Sequence, residues 1–163
     1  MAFTIGVISD THLGQVNKDF ERLYKKYLAD KDLIIHAGDI VCEDVIDFLS
    51  RKPLKAVCGN MDPFEIRKKL LPKEVFEVEG FKIGVIHGWG PSGGLEERIM
   101  NEMPGVDVIV YGHSHYPSSQ VKQGVLMFNP GTATGYPSAG FNSIGILEVG
   151  DTIQGKIIKL SGE

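Results

Sequence analysis

The chain has 163 residues, a formal net charge of −4 and a sequence pI near 5.7. That length predicts one domain, residues 1–163, able to bury roughly 68–70% of its unfolded surface. The acidic balance removes any global electrostatic reason to bind long nucleic acid, and no apolar run approaches the ~20 residues of a bilayer span, so no membrane partner is expected. Met1-Ala2 leads straight into the first apolar run without a basic leader. Cys42 and Cys58 are too few for a disulfide scaffold and read as reduced thiols, so a cytoplasmic setting is expected.

The first apolar run, Ile5-Gly6-Val7-Ile8, stops on Ser9-Asp10-Thr11-His12. Side chains two apart in a strand point the same way, so Asp10 and His12 are expected to leave its end together. Asn17 is placed to cap a helix carrying Phe20, Leu23, Tyr24, Tyr27 and Leu28 at helical spacing. A strand ending near His36 follows, then a helix over Glu43–Ser50 stopped by Pro53, a strand to Val57, and a short helix opened by Pro63 and ended by Pro72. This β-α-β-α-β-α order predicts a parallel sheet covered by helices.

The second half reads differently. Val75–Val78, the turn Glu79-Gly80 and Phe81–Ile86 form a hairpin pattern. Leu95 to about Met103 is a helix, and Val106–Tyr111 reads as a central strand. Val121–Phe128 predicts a second hairpin, and Ile144–Val149 with Thr152–Leu160 a third, so the tail is expected to be antiparallel. The sum is an α/β fold, a four-layer α-β-β-α sandwich of two mixed sheets flanked by helices.

Five of the apolar runs end in side chains able to ligate a metal: Asp10 and His12, Asp39, Asn60, His87, and His113 with His115. All seven offer oxygen or nitrogen. A mixed imidazole and carboxylate set suits Mn, Fe, Zn, Ni or Co, and argues against calcium and against a thiolate zinc site. Seven donors exceed the needs of one ion and suit two divalent metal ions sharing a carboxylate, the arrangement that clamps the attacking and leaving oxygens of displacement at phosphorus. Such a pair would be locally cationic and would attract phosphate without help from Lys or Arg; neither adjoins any of the seven in sequence.

The ordered blocks Asp10-Thr11-His12, Gly38-Asp39, Gly59-Asn60-Met61-Asp62, His87-Gly88 and Gly112-His113-Ser114-His115 resemble the motif series of the calcineurin-like metallophosphoesterases. The compact length and Asn129-Pro130-Gly131-Thr132 resemble most the small YfcE-type phosphodiesterase subfamily, which shares its fold with a retromer scaffold subunit. The resemblance implies the metallo-dependent phosphatase fold. It implies one ion, Mn first among the candidates, held by Asp10, His12, Asp39 and His115, and a second held by Asp39, Asn60, His87 and His113. It also implies hydrolysis of small phosphodiesters by attack of a metal-bridging hydroxide. The alternatives are a phosphomonoesterase using the same site and a retromer-subunit-like interaction scaffold. Met61 stands where many members carry a histidine thought to protonate the leaving group, and a thioether cannot donate a proton.

Other residues are weighed more plainly. His36 alternates away from Asp39 and is expected to be structural. Asp62 is expected to shape the turn before Pro63 or to orient a ligand, Trp89 either to pack or to stack a nucleobase or other apolar leaving group, and Asn129 to satisfy backbone groups in a tight turn. Phe64, Tyr136 and Phe141 are candidates for an exposed apolar face in a possible homo-oligomer.

Overall fold

The computed structural model describes residues 2–160. Three apolar runs form parallel strands, β1 (Phe3–Ile8), β2 (Leu33–His36) and β3 (Leu54–Ala56), linked by helices α1 (Lys18–Leu23) and α2 (Glu43–Leu49). Asn17 caps α1 by accepting from the Phe20 N–H at 2.9 Å. The helix then widens into a π-helical turn over Tyr24–Leu28, which the apolar spacing did not foreshadow. The short helix α3 (Phe64–Arg67) follows Pro63 and is shorter than the sequence spacing suggests.

The hairpin of β4 (Lys73–Val78) and β5 (Phe81–Ile86) opens a second sheet. Helix α4 (Leu95–Glu102), β6 (Val108–Val110), β7 (Ser118–Lys122) and β8 (Val125–Asn129) complete it in the order β4-β5-β6-β8-β7. Strands β9 (Ser143–Val149) and β10 (Ile153–Lys159) return to the first sheet, giving β10-β9-β1-β2-β3. Both sheets have five strands and both are mixed, with helices outside, as the sequence predicts.

The tail is not wholly antiparallel. β8 pairs with β7 antiparallel but with β6 in parallel, from Val108↔Leu126 to Val110↔Phe128. The cause lies in its residues. Phe128 enters the core between the sheets, while Met127 packs in the outer cluster with Leu95 and Ile99 of α4. A strand apolar on both faces belongs inside a sheet, and the polar Ser118–Lys122 takes the edge.

Alternation in β1 and β5 builds the layers. Ile5 and Val7 of one sheet meet Ile83 and Val85 of the other in the central core. The opposite faces carry Gly6 and Gly84, which let the outer layers approach. A Cβ on Gly6 would strike Leu28, and one on Gly84 would strike Met103. Phe141 is partly buried rather than exposed, with Lys159 Nζ 5.0 Å over its ring, while Phe64 and Tyr136 are open to solvent. Among the described residues no helix is long and apolar enough to cross a membrane.

Candidate metal centre

All seven candidate donors lie just past the C-terminal ends of β1, β2, β3, β5 and β6, where loops of the two sheets meet. Contrary to the sequence pattern, Asp10 and His12 do not leave β1 by strand alternation. β1 ends at Ile8, and both residues adopt left-handed backbone, with φ of +54° and +49°. Asp39, His113 and His115 do the same, at +58°, +72° and +60°. Left-handed residues curl the chain so that side chains converge, a conformation non-glycine residues seldom adopt. Backbone hydrogen bonds hold them there: Asp10 N–H to Gly38 O at 2.9 Å, His12 N–H to Asp39 O at 3.2 Å, and Gly112 N–H to His87 O at 3.1 Å.

Two overlapping groups result. Asp10, His12 and His115 form one, and Asp10, Asp39 and His87 the other, each with ligand atoms within 4.8 Å of one another. Asp10 Oδ1 lies 3.2 Å from His115 Nε2, 3.7 Å from His87 Nε2 and 3.8 Å from His12 Nε2. Asp39 Oδ2 lies 3.2 Å from His87 Nε2 and 3.6 Å from His12 Nε2, so it also faces both sides. Asn60 and His113 sit outside these groups but touch each other, with His113 Nδ1 3.3 Å from Asn60 Oδ1. The His87 and His113 rings are 5.3 Å apart.

The far ring nitrogens decide which atoms are free. A carbonyl can only accept, so His87 Nδ1 donates to Ala37 O at 2.8 Å, His115 Nδ1 to Tyr136 O at 2.6 Å, and His113 Nε2 to Gly90 O at 2.7 Å. In the neutral rings the lone pairs then point at Asp39, Asp10 and Asn60 oxygens. Acceptors facing acceptors require a cation between them. Asp10 Oδ1, His12 Nε2 and His87 Nε2 are buried without hydrogen-bond partners, and oxygen and nitrogen donors of this kind fit a divalent ion. Carbonyl anchoring of the distal nitrogen is also the usual support for metal-bound histidine.

Protons are the other cation that would fit, and the titration shifts reflect this. Burial alone would raise the Asp10 carboxyl, but the facing imidazoles of His115, His12 and His87 and the hydrogen bond from the Ser9 hydroxyl hold it well below the usual carboxylate range. His115 is raised by its bond to Asp10, against burial. Burial opposes protonation of His87, yet Asp39 and Asp10 raise it overall. His36 is different. Burial drives it down to about 3, so it is neutral. Its Nδ1 accepts from Gly38 N–H at 3.1 Å, which leaves Nε2–H to donate to Thr11 Oγ1 at 3.1 Å. His36 is thus a structural pin under the Asp39 loop.

Asp62 does more than shape its turn. Its carboxylate accepts from the backbone N–H groups of Asp39 (3.1 Å), Val41 (2.6 Å) and Gly59 (2.7 Å), tying the loop after β2 to the loop after β3. Asp62→Ala strands these donors and is expected to cost about 3 kcal/mol, or roughly 6–12 °C in melting temperature. Thermal denaturation reads it, and an unchanged midpoint would refute the strapping role. Asn129 braces the loop carrying His113 and His115, donating to Gly112 O and Ser114 Oγ at 3.2 and 3.0 Å. Sequence reasoning passed over Ser9, whose hydroxyl donates to Asp10 Oδ2 at 2.5 Å, although its place beside Asp10 was a usable signal. Thr132, noted in sequence only as the end of Asn129-Pro130-Gly131-Thr132, holds Asp10 O at 2.7 Å from 122 residues away.

The family model of the calcineurin-like phosphoesterase superfamily domain matches residues 3–152. A probable metallophosphoesterase of Methanocaldococcus jannaschii is 36% identical over 160 residues, covering 96% of this chain and 81% of that protein. A phosphodiesterase of the same organism is 30% identical over 159 residues, covering 88% and 92%. The structure of Vacuolar Protein Sorting 29 from Cryptosporidium parvum superposes with a TM-score of 0.74 at 21% identity, over 98% of both chains, a likeness of fold alone.

Proposed function

We propose that this chain, which belongs to the calcineurin-like phosphoesterase superfamily, works on small phosphodiesters. It is a metal-dependent phosphoesterase with a paired-ion site. The observation that carries the reading is the set of imidazole lone pairs, fixed by carbonyls on the far nitrogens, facing the buried carboxylates of Asp10 and Asp39.

In this reading Asp10, His12, Asp39 and His115 hold one ion, and Asp39, Asn60, His87 and His113 the other. The placement of Asp39 Oδ2 between His12 and His87 supports its shared role. We assign Mn first, with Ni, Zn, Fe or Co compatible with the same donors. When bound, such a pair lowers the pKa of a water and offsets charge on the phosphoryl oxygens. The protein supplies the rest. Asp10 and Asp39 set the charge, and Ala37, Gly90 and Tyr136 carbonyls fix the ring orientations. Asp62 fixes Asp39. Met61 offers no proton to the leaving group, which favours esters of acidic alcohols.

The diester preference is supported by the relative named a phosphodiesterase and by the local cations. Arg67 is committed to Asp62 O and Asn60 O at 2.8 and 2.9 Å, so it is not held ready for the extra charge of a monoester. The free cysteines suit a cytoplasmic setting, and exposed Phe64 and Tyr136 suit a homo-oligomer. The scaffold reading has less support, since the relatives similar in sequence are named metallophosphoesterase and phosphodiesterase, and the likeness to Vacuolar Protein Sorting 29 is one of fold alone.

The test is hydrolysis of a p-nitrophenyl diester and the matching monoester by metal-stripped protein with Mn, Ni, Zn or Mg restored. Metal-dependent turnover with the diester at least about tenfold ahead is expected. Monoester dominance would transfer the site to the phosphomonoesterase reading. Folded protein inert with every ion would overturn both.

A further inference from the structure

A cleft of about 580 Å³ is lined by two of the candidate donors, Asn60 and His87, and by Trp89, Cys58, Pro72 and Ile86. Trp89 is the single tryptophan of the chain and is 43% exposed. Its loop is fastened. Arg98 donates to the Trp89 carbonyl through Nε at 3.1 Å and Nη2 at 2.8 Å, and also to the Gly93 and Pro91 carbonyls. An open indole on a pinned loop is a preorganised contact surface, since little ordering remains when a ligand arrives. It shares the cleft with Asn60 and His87, so it lines the same opening as two of the candidate donors rather than a remote face.

The charged residues around the cleft narrow what it would accept. Arg67 is held by the Asn60 and Asp62 carbonyls. Lys73 is paired with Glu102, at 3.0 Å to Oε2 and 3.2 Å to its carbonyl. Glu102 itself lines the cleft and repels anions. A second phosphate would meet cations already in use and a carboxylate, while a flat apolar ring would meet indole, proline and isoleucine.

We infer that this cleft binds one esterifying arm of the diester, and that the arm is an uncharged flat ring held against Trp89. The inference rests on the phosphodiesterase reading above. A nucleobase and a simple aryl group share this chemistry, and the substrates below separate them. Stacking on an aromatic side chain is lost on truncation to alanine, and for nucleobases this commonly amounts to fivefold or more in affinity.

The experiment compares phosphodiesters with a common, ring-free trifluoroethyl arm and a phenyl, thymidine 5′- or methyl second arm, read as loss of diester by phosphorus NMR, using Mn-loaded wild type, Trp89→Ala and Trp89→Phe. Trp89→Ala is expected to raise KM about five- to tenfold for at least one ring-bearing arm, with less than about twofold change for methyl and in kcat. Trp89→Phe is expected to restore much of the loss. A phenyl-only effect marks an aryl site, and a thymidine effect a nucleobase site. A second readout is Trp89 fluorescence, titrated with diphenyl phosphate, the methyl ester of thymidine 5′-phosphate, and dimethyl phosphate, with and without Mn. A saturable change with a ring-bearing ester and none with dimethyl phosphate is expected. Ring-dependent quenching without turnover of any diester would leave the cleft standing and remove the phosphodiesterase reading. Turnover in which Trp89→Ala shifts every arm equally, with no ring-dependent fluorescence change, would overturn the inference and leave that reading intact.

Discussion

Asp39→Asn is expected to cut metal-dependent phosphodiester turnover by about a thousandfold or more, ~4 kcal/mol in the barrier, in a protein that stays folded. The two carboxylate oxygens have different work. Oδ1 accepts the Met61 N–H at 2.7 Å, and an asparagine carbonyl keeps that bond. Oδ2 faces His87 Nε2 and His12 Nε2 at 3.2 and 3.6 Å. An amide placed there donates to the His87 lone pair at 3.2 Å instead of competing with it for a cation. The variant therefore removes one negative charge and satisfies an acceptor that otherwise lacks a partner. Metal-free Asp39→Asn is expected to melt no lower than metal-free wild type above neutral pH, yet to gain little from added ion. Parallel activity and melting curves check this. Full activity in the variant would remove Asp39 from the site, and a collapse of the fold would place its importance in structure.

How much of this was legible before folding depends on the range of the interactions. The donors were visible because each follows an apolar run, and strands of parallel sheets deliver functional groups from their C-terminal ends. The two mixed sheets were visible in the β-α-β-α-β-α order of the first half and the hairpins of the second. The backbone that aims the donors was not. Asp10, His12, Asp39, His113 and His115 all sit at positive φ, where local preference argues against Asp and His. That conformation is imposed from a distance: Gly38 O holds Asp10 N–H, and Asp62, 23 residues on, holds Asp39 N–H. The anchors of the histidine rings were equally hidden, since the Tyr136 and Gly90 carbonyls are backbone groups with no residue signature. β8 was half legible for a related reason. Its apolar run reads correctly as half of a hairpin with β7, but the parallel pairing with β6 follows only from the need to cover both Met127 and Phe128.

The same hidden electrostatics give the metal-free protein a stability that declines with rising pH and is restored by divalent ion. His87 and His115 titrate above their ordinary value of 6.5 in the folded chain because Asp10 and Asp39 face them. The stability they contribute is complete below about pH 6.5 and is lost as pH climbs through their folded values. Asp10 is the acidic side of the same ion pairs. Its carboxyl is depressed below 3.8, so this contribution is lost again as pH falls beneath that value. Metal-free protein is therefore expected to be most stable between about pH 4 and 6.5 and to melt lower at pH 8. At that pH less of the positive charge on His87 and His115 remains to offset two carboxylates exposed by no more than 2%. A divalent ion supplies it. Ligands must be deprotonated to bind metal, so protons and ions compete for the same atoms. At pH 8, an ion at about a hundred times its dissociation constant adds ~2.7 kcal/mol, which is roughly 5–11 °C in melting temperature for a chain of this size. At pH 5.5 the same ion concentration is expected to add far less, because the site already holds protons. Melting curves at both pH values, with Mn, Ni or Zn and then with chelator, separate the contributions. A metal-free midpoint flat from pH 5.5 to 8 would remove the proposed coupling of the histidines to Asp10 and Asp39. An ion-induced rise equal at both pH values would place the ion elsewhere, at ligands that do not titrate in this range.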